Sequence, residues 1–216
     1  MAFGAIMKIK AVVFDYGKVI CFPPDDSVWE KISSLADITW DAIDPFYKKH
    51  RGNYDRGIFS AFGYYKKILD DLKINITDEK IRQMGQLDMN GWKNINPATE
   101  KLMNDVKNSG LLLGILSNMP YDFLDFARKN IPVISLPHTG IFSCEAGVIK
   151  PEKEIYLKLL SELKCLPEEV VFFDDVPENV SKALELKIEA RLWEDCEKAR
   201  RDLAELGVVL QGKLCC

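Results

Sequence analysis

Hydrophobic and polar positions divide this chain into two kinds of pattern. The first stretch sets the theme: after Lys10 comes a short unbroken apolar run, Ala11–Phe14, that stops at Asp15, with Gly17 two residues on. A run that short and that apolar reads as a strand buried on both faces, as in a parallel sheet. Between 25 and about 95 the spacing is helical instead. Asp26 or Ser27 can cap a helix with Val28, Ile32 and Leu35 on one face, and Thr39 can open a second holding Ile43, Phe46 and Tyr47. Ser60 opens a third through Leu69 and Leu72, and Thr77 a fourth holding Ile81, Met84 and Leu87. No strong strand pattern interrupts this region.

From Pro97 the pattern alternates between helix and strand. Pro97 suits a helix start, Leu102 and Val106 give that helix an apolar face, and Gly110 ends it. The continuous apolar run 111–116 is a second buried strand, ending at Ser117 and Asn118. A helix through Phe123 and Phe126 follows, then a short strand expected at Val133 and Ile134. The loop 147–151 leads into a helix carrying Ile155, Leu159 and Leu163, and the run 170–173 is a further buried strand ending at Asp174 and Asp175. A helix over about 178–186 and a last strand near 190–192 complete the expected α/β parallel sheet. Residues 1–20 and 96–216 are assigned to that sheet unit, and residues 21–95 to a helical lobe inserted after the first strand.

Composition changes little in this picture. The 216 residues suffice for one good core and a small second lobe, and 47% hydrophobic with 29% charged residues is ordinary for a soluble globular protein. A formal charge of −4 argues against a nucleic-acid or membrane-surface partner, and no apolar run reaches the roughly 18 residues of a membrane span. Residues 1–7 are too short for a signal peptide, so a cytoplasmic protein is expected. The cysteines at 21, 144, 165 and 196 are isolated and read as free thiols, while Cys215 and Cys216 read as a frayed tail rather than a prenylation signal.

The chemistry collects at strand ends, where open α/β sheets hold their ligands. Asp15, Ser117, Lys150 and the pair Asp174 and Asp175 all fall at such ends or in nearby loops. Three carboxylates in one place need a counter-ion, and an all-oxygen donor set suits Mg²⁺. Gly17 allows close approach of backbone to metal or phosphate. Ser117 can donate to a phosphoryl oxygen, and Lys150 can stabilise both that oxygen and the Asp15 carboxylate. An aspartate kept ionised in this way is a candidate nucleophile for phosphoryl transfer. Each feature alone has a plainer account as a helix cap, loop residue or solvated lysine; their order and placement together do not.

Four motifs give the chain a resemblance to the haloacid dehalogenase (HAD) superfamily: Val-Val-Phe-Asp15-Tyr-Gly-Lys-Val, Ile-Leu-Ser117-Asn118, Gly-Val-Ile-Lys150-Pro-Glu-Lys-Glu-Ile-Tyr156, and Val-Phe-Phe-Asp174-Asp175-Val-Pro-Glu-Asn179-Val-Ser-Lys-Ala183. The resemblance implies a Rossmann-like parallel sheet core with an inserted all-helical cap. It implies an aspartyl-phosphate on Asp15, Mg²⁺ held by Asp15, the Gly17 carbonyl and Asp174 or Asp175, and phosphate held by Ser117, Asn118 and Lys150. Within the cap, Arg56-Gly-Ile-Phe-Ser60 is similar to a segment of the sugar-phosphate branch that includes α-glucose-1-phosphate phosphatases.

One departure matters. Phosphatases of the superfamily usually carry a second aspartate two residues after the nucleophile, as acid and then base. Here that position is Gly17, and a missing general acid/base is typically worth about 10²–10⁴ in rate. Good leaving groups, such as an anomeric phosphate, are therefore expected. The expected function is hydrolysis of a small phosphorylated metabolite, a sugar phosphate, with Mg²⁺. Two alternatives stand beside it: carbon–halogen hydrolysis through an ester on Asp15, and a binding module that has lost catalysis. His50, in the basic run Lys48-Lys49-His50-Arg51, is weighed as a substitute acid against a solvated helix end, and Phe22, Trp29 and Tyr54 as pocket walls against core aromatics. The direction of the Lys18 amine and the oligomeric state stay open.

Overall fold

A computed structural model describes residues 9–210; the segments read above at 1–7 and at Cys215 and Cys216 lie outside the described residues. Five strands, β1 Ala11–Phe14, β2 Leu112–Ser117, β3 Thr139–Phe142, β4 Val170–Asp174 and β5 Glu189–Leu192, form one parallel sheet in the order β3-β2-β1-β4-β5. Every residue of β1 and β4 is buried, which is why their sequences do not alternate. Alternation survives in direction: Val12, Phe14, Leu113, Ile115, Val171 and Phe173 pack into one apolar layer, and Ala11, Val13, Leu116, Val170 and Phe172 into the other. Helices α5 Pro97–Asn108, α6 Tyr121–Asn130 and α10 Cys196–Glu205 cover the first layer, and α8 Lys153–Leu163 and α9 Pro177–Glu185 the second.

Between β1 and α5 lie four helices with a core of their own: α1 Asp26–Ala36, α2 Trp40–Asp55, α3 Ala61–Leu72 and α4 Asp78–Gly91. Ile32, Ile43, Ile68, Leu69, Ile81 and Met84 are at most 2% exposed within it. Aromatic pairs fill the rest, with Trp29 stacked on Trp40 and Tyr54 on Tyr64, each at 4.4 Å between ring centres. Ser60 caps α3 and Thr77 caps α4 through their hydroxyls, whereas Thr39 holds the cap position of α2 with no such bond.

Several sequence expectations need correction. Helix α1 starts one residue early, capped at Asp25 instead of Asp26 or Ser27, because the Val28 amide closes the first turn on the Asp25 carbonyl at 2.9 Å. The run Lys48 to Arg51 is mid-helix, since α2 continues to Asp55. No strand forms at Val133 and Ile134. Pro132 opens a 3-10 turn there, and the two side chains are buried by that turn. The edge strand is β3, whose Gly140 breaks the apolar run; a Cβ at Gly140 would sit 2.8 Å from the Phe142 ring, so glycine lets that ring fold back. Helix α10 was not read at all. Asp195 caps it at 2.8 Å from the Lys198 amide, and Arg200 ties it to Asp105 of α5.

The helical lobe is tied down over the sheet's carboxyl edge. Ser143, fully buried at the head of the short helix α7 Ser143–Ala146, donates to the Asp55 carbonyl at the end of α2 (2.5 Å) and accepts from the Met119 amide (2.8 Å). Asp122 accepts from the Ala61 amide, one of the four unpaired donors at the start of α3, at 2.8 Å. Arg56 pairs with Glu152, and the Tyr16 hydroxyl donates to the Trp92 carbonyl at 2.9 Å. Replacing Ser143 by alanine leaves the Met119 amide and a helix-end carbonyl unpaired. The Ser143→Ala variant is expected to lose about 1–3 kcal/mol, read as a lower urea midpoint at unchanged m; a midpoint equal to wild type contradicts this tie.

Candidate active site

The parallel register brings three strand ends together. Phe14 pairs with both Ile115 and Phe173, and the Asp15 amide donates to the Phe173 carbonyl at 2.9 Å, so Asp15 falls level with Asp174. Ser117 ends the neighbouring strand β2. Into this corner comes Lys150, only 3% exposed. Its ammonium lies 2.7 Å from Asp15 Oδ1, 2.6 Å from Asp174 Oδ2 and 2.9 Å from the Leu116 carbonyl. A buried ammonium without such acceptors would be untenable. Burial works against its charge, but Asp15 and Asp174 outweigh burial and hold its pKa above the ordinary lysine value.

Asn118 sets where that lysine stands. Its side-chain nitrogen donates to the Lys150 carbonyl (3.0 Å) and its oxygen accepts from the Lys150 amide (2.8 Å). Both ends of the amide are thus spent on the Lys150 backbone, and the Asn118 side chain is a positioning group. Asp174 is equally committed. Val176 N and Asn179 Nδ2 donate to its Oδ1 at 2.8 and 3.0 Å, and Asn179 also reaches its Oδ2 at 3.1 Å beside Lys150.

Asp15 is the exception. Its Oδ1 faces the Lys150 ammonium at ion-pair distance and meets no other donor. Burial, reinforced by the Asp174 charge and opposed by Lys150, pushes its pKa up to about 7. Burial also raises Asp175, with Asp174 adding and Lys18 opposing. The Lys18 amine, left open above, lies 3.5 Å from Asp175 Oδ2, on a residue with φ of +58°.

Oxygens of Asp15, Asp174 and Asp175 lie within 4.8 Å of one another. An all-oxygen, polyanionic set of this kind fits a hard divalent cation such as Mg²⁺. Since Asp174 already receives several donors, Asp15 and Asp175 are the residues with lone pairs to offer.

A cavity of about 280 Å³ opens above this floor. Asp15, Gly17, Ser117, Asn118, Lys150 and Asp175 line it, while Asp174 lies beneath, fully buried. The Ser117 hydroxyl makes no hydrogen bond among the described residues. His50 is not at the cavity. It is buried on α2 with Nε2 2.9 Å from Asp71, so neither the solvated helix end nor the substitute acid describes it. Trp29 belongs to the helical core, Phe22 is half exposed away from the cavity, and Tyr54 does line it. Sequence reasoning missed Arg51 and Asp88, both lining the cavity from the helical lobe. The signal was present: Asp88 falls four residues after Met84 and seven after Ile81, on the apolar face of α4.

The family model for haloacid dehalogenase-like hydrolases matches residues 9–185. The chain belongs to that family. It is 36% identical over 66 residues to flavin mononucleotide hydrolase 1 of Arabidopsis thaliana, covering 31% of this chain and 27% of that protein. It is 26% identical over 124 residues to the phosphorylated carbohydrates phosphatase of Thermotoga maritima, covering 57% and 55%. This hydrolase therefore spans little more than half the length of the second relative and about a quarter of the first. The HAD family enzyme BT-2542 of Bacteroides thetaiotaomicron, solved with magnesium and inorganic phosphate, superposes with a TM-score of 0.71 at 19% identity over 86% of this chain and 94% of that one. The L-2-haloacid dehalogenase of Xanthobacter autotrophicus gives 0.65 at 19% identity over 91% and 83%. At such identities the likeness is one of fold: an HAD-type α/β sheet. Among the described residues, no helix is long and apolar enough to cross a membrane.

Proposed function

We propose that this hydrolase is a Mg²⁺-dependent phosphatase that removes phosphate from a small phosphorylated metabolite, a sugar phosphate, with residues 21–95 as a cap over a core of 1–20 plus 96–216. The observation that carries the reading is the Asp15 carboxylate, placed at the floor of a cavity and paired there with the buried Lys150 ammonium. A carboxylate so placed is free to act as nucleophile. Phosphate seated on the floor meets the Ser117 hydroxyl and the Lys150 ammonium, two donors for the charge that develops on its oxygens. Asp15 attacks phosphorus, the bond to the leaving oxygen breaks, and an acyl phosphate forms on Asp15; water then cleaves it. Asp15, Asp175 and the Gly17 carbonyl would hold Mg²⁺, with Asp174 behind them. Bound there, the ion supplies positive charge against the phosphoryl oxygens and the crowded carboxylates.

Support for phosphate over halide as the leaving chemistry comes from the same cluster. Expelling halide gains nothing from three gathered carboxylates, whereas phosphoryl transfer gains from the cation they would hold. The phosphorylated carbohydrates phosphatase relative agrees in substrate class.

Gly17 shapes the substrate preference. With no carboxyl at that position, the leaving oxygen departs unassisted from there, and the water that follows finds no base. A Cβ at Gly17 would meet the Trp92 ring at 3.6 Å, an ordinary contact, so a side chain fits.

Two outcomes are expected. Phosphate release from a panel of phosphometabolites should require Mg²⁺, stop with EDTA and vanish in Asp15→Asn. Chloride release from 2-chloropropionate without Mg²⁺, or silence across the panel from folded protein, contradicts the reading. Gly17→Asp should raise turnover of unactivated alkyl phosphates at least tenfold, toward the ~10²–10⁴ of a general acid/base. No gain, with the variant folded, means that protonation is supplied elsewhere.

A further inference from the structure

The cavity has a second polar end. Its floor is made by strand ends, but its roof belongs to the helical lobe: Tyr47, Arg51 and Tyr54 of α2, Asp88 and Met89 of α4, and Trp92 just beyond. Tyr47, Arg51, Asp88 and Trp92 belong to one hydrogen-bonded chain. Arg51 Nε donates to both oxygens of Asp55 (2.9 and 3.0 Å), and Nη1 donates to the Tyr47 hydroxyl at 2.7 Å. That hydroxyl donates to Asp88 Oδ1 at 3.3 Å, where Trp92 Nε1 also arrives at 3.1 Å, and the Tyr65 hydroxyl takes Oδ2 at 3.0 Å.

The chain is incomplete at two points. Guanidinium carries five N–H donors. The second hydrogen of Nη1 and both on Nη2 have no protein acceptor among the described residues. On Asp88, Oδ2 has a single donor where it has room for two. So the roof presents unused donors from Arg51 and an unused acceptor on Asp88, between aromatic walls. Charge decides what fits them. Arg51 is already paired with Asp55, which lies outside the lining, so on the cavity wall Asp88 stands as an excess negative charge. A second phosphate or carboxylate on the substrate would meet that excess at low dielectric. Neutral hydroxyls suit it, since each can accept from Arg51 and donate to Asp88. Size points the same way, because about 280 Å³ lies at the small end of ligand pockets, ~300–1,000 Å³.

We infer that Arg51 and Asp88 form the specificity-determining subsite of this enzyme, recognising the neutral hydroxyls of a single monosaccharide-sized leaving group and rejecting bisphosphates. This rests on the phosphatase reading and names the side chains that choose the substrate within it.

The test is kcat/KM with Mg²⁺ on three probes: the best of a set of aldose and ketose monophosphates, its bisphosphate, and p-nitrophenyl phosphate, which has no hydroxyls to recognise. Ratios between probes cancel the active fraction, so partly unfolded variants remain informative. Wild type should prefer the monophosphate to both others and to flavin mononucleotide. Arg51→Gln should lower the sugar-to-aryl ratio roughly 10- to 100-fold, the scale of lost charge-assisted hydrogen bonds, with partial recovery in Arg51→Lys. Asp88→Asn should shrink the monophosphate-to-bisphosphate preference at least severalfold. Ratios unmoved by these variants, or wild type favouring a bisphosphate or flavin mononucleotide, overturn the subsite while leaving the phosphatase intact. No Mg²⁺-dependent release even from p-nitrophenyl phosphate overturns the phosphatase, and the subsite falls with it.

Discussion

An ammonium almost wholly shut off from water needs acceptors on every side, and Lys150 finds them in Asp15, Asp174 and the Leu116 carbonyl. The arrangement depends on parallel register. Only because Phe14 sits opposite both Ile115 and Phe173 do the ends of β1, β2 and β4 converge at one level. Removing one partner of such a buried pair typically costs about 3–5 kcal/mol, because the other charge is left uncompensated. Stability and chemistry therefore meet in the same residues. Asp174 is committed to holding the lysine, Asn118 to aiming it, and Asp15 meets the same ammonium from the cavity floor.

The helical lobe supplies what the sheet cannot. Strand ends give a charged floor of a kind many chemistries share, whereas Arg51, Asp88 and the rings beside them close the space above it. Their position depends on ties to the core at Ser143, Asp122 and Glu152, each joining an end of α2 or α3 to the start of a core helix. Trp92 joins the two halves, since its carbonyl accepts from Tyr16 next to Asp15, its indole donates to Asp88, and its ring borders Gly17. The position that lacks a carboxylate is thus walled by the group that supports the roof.

Much of this was legible in the sequence, for a physical reason. Buried parallel strands are written as short apolar runs, and a charged residue ending such a run is conspicuous, so Asp15, Ser117, Asp174 and Asp175 announced themselves. Lys150 followed from its loop. Arg51 and Asp88 did not stand out, because a polar residue on a helix has many ordinary explanations, and spacing that puts Asp88 on an apolar face does not say what that face meets. His50 misled in the opposite sense: a basic run looks solvated, yet the middle of α2 buries that ring against Asp71. Strand β3 was lost to Gly140 and its apolar substitute at Val133 and Ile134 to a proline, both effects of backbone freedom that hydrophobic pattern does not record.

The central claim is that Asp15 becomes covalently phosphorylated and that, with Gly17 where a base is usual, the resulting acyl phosphate is cleaved slowly. Rapid mixing with Mg²⁺ and p-nitrophenyl phosphate, followed by acid quench and peptide mass analysis, tests it directly. The account predicts a burst of p-nitrophenol and one added phosphoryl group on the peptide containing Asp15. Steady turnover with no burst and no phosphorylated peptide would contradict it.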